Sequence, residues 1–171
     1  MRNLIFISLV LIAGCAPHTA TFMSPTGRGG DAIIQGCHQI PSTFRYEIDG
    51  SEFRINLGSN AVYLAIEAVD GSVVEWQNNE ITILINNKKY TEKVKDFIRT
   101  ERVREPCGGL TASLNCKVYR TYSTKIDFES IVDATEVRIS PPVPMVNKTP
   151  FNVSEIEYKK VTKTLMQAIN C

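Results

Sequence analysis

From residue 44 onward, apolar and polar positions alternate with the two-residue period of half-buried strands. Phe44, Tyr46 and Ile48 point one way, Asp49-Gly50 supplies turn residues, and Phe53, Ile55 and Leu57 repeat the pattern on the return. Ala61 to Val69 is mostly apolar and Asp70-Gly71 marks a turn. Val73 to Trp76 follows, Asn78-Asn79 turns the chain again, and Ile81, Ile83 and Ile85 alternate before Asn86-Asn87 leads into Lys88-Lys89-Tyr90. Asn, Asp and Gly tolerate the positive φ that tight hairpins need, so the stretch reads as an antiparallel meander. Glu92 to Glu105 fits two periods: Val94, Phe97, Ile98 and Glu101 suit one helical face, while the dense charge also suits an edge strand.

Strand signals return at Lys117–Tyr122, Lys125–Ile131 and Thr135–Ser140. Pro141-Pro142-Val143-Pro144 then has to leave the sheet, because proline lacks the ladder donor. The last strand, with Ile156 and Tyr158 alternating, is expected to end near Lys160. A short C-terminal helix is expected after it, from the spacing of Val161, Leu165, Met166 and Ile169. Six to nine short strands without a βαβ rhythm predict an all-β fold. The expected form is an antiparallel β-sandwich of immunoglobulin-like size with a short C-terminal helix and room for one further helix; a small β-barrel is the alternative.

The N-terminus has a different pattern. Met1-Arg2-Asn3 precedes an apolar run from Leu4 to Ala13 and then Gly14-Cys15, which is the layout of a secretory signal and too short for a membrane-spanning helix. Ile12-Ala13-Gly14-Cys15 resembles the lipobox of bacterial lipoproteins. The resemblance covers residues 1–15 and implies cleavage before Cys15, acylation of its thiol, and anchoring by two or three acyl chains. Ala16 stands where an Asp would retain such a protein at the inner membrane, which favours the outer membrane, facing the periplasm. Ala16 to Gly36 is rich in Thr, Ser, Pro and Gly and reads as a flexible tether, although Ala32-Ile33-Ile34 also suits a first edge strand. The expected organisation is a signal peptide over 1–14, a lipidated cysteine and tether over 15–36, and the β-domain over 37–171.

An exported chain meets an oxidising compartment, which changes the reading of its five cysteines. With Cys15 assigned to lipid, Cys37, Cys107, Cys116 and Cys171 form an even set with three possible connectivities. Cys107–Cys116, closing a small loop, and Cys37–Cys171, joining the ends of the domain, are the favoured pairs. There is no CxxC and only His18 and His38 are available, so neither zinc nor another cofactor is expected.

Candidate catalytic groups are sparse. His18 lies in the segment read as a tether and His38 adjoins Cys37, and neither a GxSxG elbow nor a phosphate loop occurs. Glu47/Asp49/Glu52 and Asp127/Glu129 are the carboxylate groupings a hydrolase would draw on, and Trp76, Tyr46, Tyr63 and Tyr90 are the rings a glycan platform would need. Without Arg2 the chain has 18 basic and 18 acidic residues, which argues against nucleic-acid binding. Charge is nevertheless uneven, with residues 36–80 strongly acidic and residues 88–104 basic; a solvated, internally paired surface is the favoured reading, and opposed charged faces are the alternative. Pro141, Pro142, Val143 and Met145 form a stiff apolar segment with two equal readings, a partner-binding loop of low entropic cost or a loop packed across the open end of the sandwich. The function expected from these features is a non-enzymatic structural or adaptor subunit of an envelope protein assembly, held to a membrane by its lipid. A glycan- or surface-ligand-binding module is the alternative, and a carboxylate hydrolase is the least supported.

Overall fold

The computed structural model describes residues 18–34, 40–104, 117–128 and 131–165, without the side chains of 18, 101–103 and 165. Over these residues the protein is all-β. Fourteen strands form three antiparallel sheets, none of them closed into a barrel, and no helix occurs among the described residues.

The largest sheet is built around β3 (Thr43–Ile48), β4 (Ser51–Leu57) and β5 (Ala61–Val69), which follow one another as the alternation requires. It is extended by β2 (Asp31–Ile33) on one edge and by β10 (Tyr119–Asp127) and β9 (Ile98–Arg104) on the other. The second sheet runs in the order β1 (His18–Gly27), β14 (Ile156–Leu165), β11 (Glu136–Ser140), β7 (Glu80–Ile85) and β8 (Lys88–Lys93). A small third sheet joins β6 (Val74–Asn78), β12 (Val143–Val146) and β13 (Thr149–Pro150).

Register converts the alternation into a core. In the six-stranded sheet Phe44, Ile55 and Leu64 stand opposite one another, as do Tyr46, Phe53 and Ile66. In the five-stranded sheet the corresponding row is Ile83, Ile139 and Ile156. All nine are buried and belong to one hydrophobic cluster shared by the two sheets. Each side chain of this size contributes ~1.5–3 kcal/mol by leaving water, so cross-strand neighbours on one face are the main source of stability. Two phenols cross this core. Tyr158 on β14 is fully buried and donates to the carbonyl of Ile55 on β4 at 2.9 Å. Tyr46 on β3 donates to the carbonyl of Ser154 at 2.8 Å and accepts from the Ser154 amide at 3.2 Å.

The turns follow their residues. Asp49 and Gly50 have φ of 48° and 76° and join β3 to β4, and Asn86 and Asn87 at 47° and 68° join β7 to β8. Asn147 and Lys148 make the same kind of turn at 51° and 67°, a position where lysine gives no sequence signal. Asn78-Asn79 is different: the chain changes sheets there, and the Asn78 side chain accepts the Glu80 amide at 3.0 Å. The meander therefore holds for β3–β4–β5, and the chain then leaves for the third sheet.

Two expectations are corrected. The segment read as a flexible tether is a ten-residue strand, β1, paired along its whole length with β14 from His18↔Leu165 to Gly27↔Ile156; its Thr-rich composition suits a strand as well as a linker. The alternative edge strand near Ala32 is present as β2. The expected C-terminal helix is absent over Val161–Leu165, which continue β14, because pairing with β1 decides the conformation where propensity is ambiguous; residues 166–171 lie outside the described residues. The Glu92–Glu105 stretch, open between helix and strand, supplies the end of β8 and the edge strand β9.

The buried phenol bridging the sheets gives a direct test. Tyr158→Phe keeps the ring and removes the hydroxyl, so it is expected to lower stability by about 1–3 kcal/mol. Urea denaturation should show a lower midpoint at unchanged slope, while an unchanged midpoint would remove the inter-sheet bond from the stability account.

Candidate interaction surface

The outward positions of the six-stranded sheet carry Arg45 and Glu47 on β3, Glu52 and Arg54 on β4, and Glu67 on β5. Register places like charges opposite one another, Arg45↔Arg54 and Glu52↔Glu67, an arrangement that is destabilising by itself. The side chains resolve it by pairing along strands and on diagonals. Arg45 reaches Glu47 at 3.0 Å, Glu52 at 3.6 Å and Asp31 on β2 at 3.7 Å. Arg54 donates to Glu67 at 3.1 Å and stands 3.8 Å from Glu52.

Glu67 is the centre of the ladder. It is 8% exposed, and Arg104 on β9 reaches over the intervening strand β10 to donate its Nε to the same carboxylate at 2.6 Å. Arg104 also lies over the Tyr119 ring, 4.8 Å from its centroid. The Glu67 hydrogen bond is the main reason the Arg104 guanidinium is held above its ordinary pKa. Alternating charge thus spans the sheet from β2 to β9. The fit is incomplete, since the Nε atoms of Arg45 and Arg54 are buried without a hydrogen-bond partner, each a cost of ~1–3 kcal/mol.

A second cluster fastens the sheet corner. Asp70, just past β5, accepts Arg120 Nε at 2.6 Å and Nη2 at 3.2 Å, and Arg99 at 3.1 Å. The Arg120 hydrogen bond, with further help from Arg99, holds the Asp70 carboxyl below the usual range. Arg120 also donates to the Thr100 carbonyl at 3.2 Å, tying β10 to β9.

These pairs match the internally paired surface and not the alternative of opposed charged faces. Glu67 and Asp70 come from the acidic segment, and Arg99 and Arg104 come from the basic one. The two segments meet on one sheet and neutralise each other. Their opposite charge was visible in the sequence as the signal for this pairing. The candidate carboxylates are likewise engaged with cations: Glu47 and Glu52 share Arg45, and Asp127 pairs with Lys125 at 3.1 Å. Asp49 occupies its turn, and Glu129 lies outside the described residues.

The four aromatic candidates do not share a face. Tyr46 is in the core, and Trp76 on β6 stacks on Phe97 at 4.1 Å and donates to the Lys95 carbonyl at 3.2 Å. Tyr90 lies on β8 beneath Lys88, and Tyr63 is 48% exposed on the outer face of the six-stranded sheet. Of the two readings of the apolar proline segment, the exposed one does not hold. Pro141 and Pro142 are buried, Val143 and Met145 are half-buried, and Val143–Val146 forms β12 between β6 and β13. A register shift between Val143 and Pro144 accommodates the missing donor, while the Pro144 carbonyl accepts the Phe151 amide at 2.9 Å. The side chain of His18 and all of His38, Cys15, Cys37, Cys107, Cys116 and Cys171 lie outside the described residues. No group of three or more metal-ligating side chains occurs among those described.

The face this builds carries mutually paired charges, with Tyr63 exposed among them. A fixed charge pattern of this kind specifies register in a contact. Glu67→Gln leaves Arg54 and Arg104 without their shared anion and is expected to cost about 2 kcal/mol, below the ~3–5 kcal/mol of a fully buried pair because Arg104 is half exposed. Urea melts of Glu67→Gln, Arg54→Met and the double variant should give a non-zero coupling energy. Asp70 sets a pH dependence: its folded pKa lies below the ordinary 3.8, so its stabilisation is complete above that value and is lost as pH falls through the folded pKa. Asp70→Asn is therefore expected to flatten the acid limb of the stability–pH curve and leave the neutral-to-alkaline limb unchanged in shape. Compared with known proteins, the chain matches no protein-family model, no curated protein and no solved structure.

Proposed function

We propose that this chain is a bacterial envelope lipoprotein, anchored through acylated Cys15 at the outer membrane and facing the periplasm, whose β-domain acts as a non-enzymatic structural or adaptor subunit of an envelope protein assembly. The observation that carries the reading is Ile12-Ala13-Gly14-Cys15 behind a basic start and a short apolar run, the layout at which lipoprotein signals are cut. The domain is read as a β-sandwich, on the support of one hydrophobic cluster contributed by two facing sheets. In an oxidising compartment Cys37, Cys107, Cys116 and Cys171 pair, with Cys107–Cys116 and Cys37–Cys171 as the proposed bridges.

The adaptor role is supported by the outer face of the six-stranded sheet. Its arginines and carboxylates are fixed by one another, so a partner meets a pre-ordered surface, and ordering entropy is already lost before binding. Tyr63, flanked in register by Asn56 and Lys125, offers the kind of amphipathic ring that anchors protein interfaces.

Cys15→Ser is expected to abolish incorporation of labelled palmitate and move the protein from the membrane to the soluble fraction. A wild-type protein that takes up no label, or a variant that stays membrane-bound, would end the lipoprotein reading. Cross-linking in intact cells followed by purification should recover a defined envelope complex, with recovery reduced several-fold by Tyr63→Ser at unchanged melting temperature. Unchanged recovery with Tyr63→Ser would remove this face as the contact.

A further inference from the structure

The ladder of β14 divides into two parts. From Ile156 to Lys159 it pairs with β11 on one side and β1 on the other, whereas from Lys160 to Leu165 its only paired strand among the described residues is β1. The first half of β1 and the second half of β14 thus continue past the five-stranded sheet as a two-stranded ribbon. Its base is fixed where the Lys160 amide donates to the Thr135 carbonyl at 2.9 Å and Lys160 Nζ donates to the Val132 carbonyl at 3.1 Å. Along it, Thr21 and Thr162 are hydrogen-bonded at 2.9 Å, and Thr19, Thr21, Thr162, Lys163 and Thr164 are exposed. A free two-stranded ribbon is marginally stable in water, so this one gains from whatever it rests on.

The polarity of the ribbon decides what that is. β1 runs from the tip toward the domain, so His18 stands at the tip opposite Leu165. Only Ala16 and Pro17 separate His18 from Cys15, a reach of at most roughly 11 Å. Between residues 18 and 23 and between 160 and 165 there are two lysines and no acidic residue.

We infer that the β1/β14 ribbon is the membrane-contacting end of the domain: its tip rests among the anionic headgroups of the bilayer that holds the Cys15 lipid, and the paired strands act as a stiff spacer that fixes the height and orientation of the domain. This rests on lipidation of Cys15. The partner is a lipid surface because the anchoring residue lies within a few residues of the tip, and the exposed threonines and Lys163 suit hydrated, negatively charged headgroups. Orientation follows from the sheet. The Asn86–Asn87 turn lies at the ribbon end, and Glu80 lies at the opposite end, about ten strand positions or ~33 Å from the level of Lys163.

The chain has one tryptophan, which makes height measurable. In a Trp76→Phe background, which keeps a ring against Phe97, single tryptophans are placed by Lys163→Trp, Asn87→Trp or Glu80→Trp. The full lipidated proteins are reconstituted in vesicles of phosphatidylethanolamine and phosphatidylglycerol carrying dansyl-labelled headgroups. Melting temperature and palmitate incorporation are checked for each. Energy transfer to the headgroups is expected to fall in the order Lys163, Asn87, Glu80, several-fold between the first and last. A long Gly/Ser insertion between Pro17 and His18 is expected to collapse the difference. Lipidated, folded protein with equal transfer from Lys163 and Glu80, or with the order reversed, overturns the ribbon as the contact while leaving the lipoprotein reading intact. Absence of palmitate overturns both.

Discussion

A buried phenol must find a hydrogen-bond partner, and in this protein Tyr158 meets that requirement by reaching across the core to the Ile55 carbonyl. The contact fixes how far β14 stands from β4, and Tyr46 with Ser154 fixes a second point. Burial pushes the Tyr158 hydroxyl well above its ordinary pKa, which keeps it protonated as the donor the geometry needs. With the two sheets held at a set spacing, isoleucines, leucine and phenylalanines fill the gap, and each strand has to turn its remaining positions toward solvent. The charged ladder on the six-stranded sheet follows from that division: its residues are the outward half of the same strands whose inward half forms the core.

The ladder also shows how a sheet can tolerate unfavourable register. Arg45 opposite Arg54 and Glu52 opposite Glu67 would repel if each faced only its direct neighbour. Because long side chains reach diagonally and Arg104 arrives from two strands away, every one of these charges meets an opposite one. The two buried guanidinium Nε atoms without partners mark where this solution remains imperfect.

Much of the fold was legible because the strands concerned are buried on one face only. Phe44/Tyr46, Phe53/Ile55 and Ile81/Ile83 alternate cleanly, and Asp49-Gly50 and Asn86-Asn87 carry the residues their turns require. What was missed depends on partners far away in sequence. The Thr- and Pro-containing stretch from His18 to Gly27 has no apolar rhythm of its own and becomes a strand because β14 is there to pair with it. Val161 to Leu165 fits a helical period by spacing, yet the ladder to β1 decides otherwise. The proline run leaves the sheet of β11 as expected, but Val143–Val146 then joins a third sheet that no local pattern announces. For the charged face, the opposite signs of two segments were readable; that Glu67 and Asp70 would take Arg104 and Arg99 required knowing that β9 pairs with β10.

The union of β1 with β14 also sets an order of events. Thr21 and Thr162 are 141 residues apart, and the sheet that places β14 between β1 and β11 cannot close until nearly all of the described chain is present. Pairings of such long separation form slowly because loop closure precedes the contacts that reward it. A nascent chain of this sequence therefore has no early route to its finished five-stranded sheet, and its first strand stays unpaired until the last has been synthesised. If the chain is exported as an extended thread, as the proposed function has it, this sheet is the part of the fold that closes only after passage.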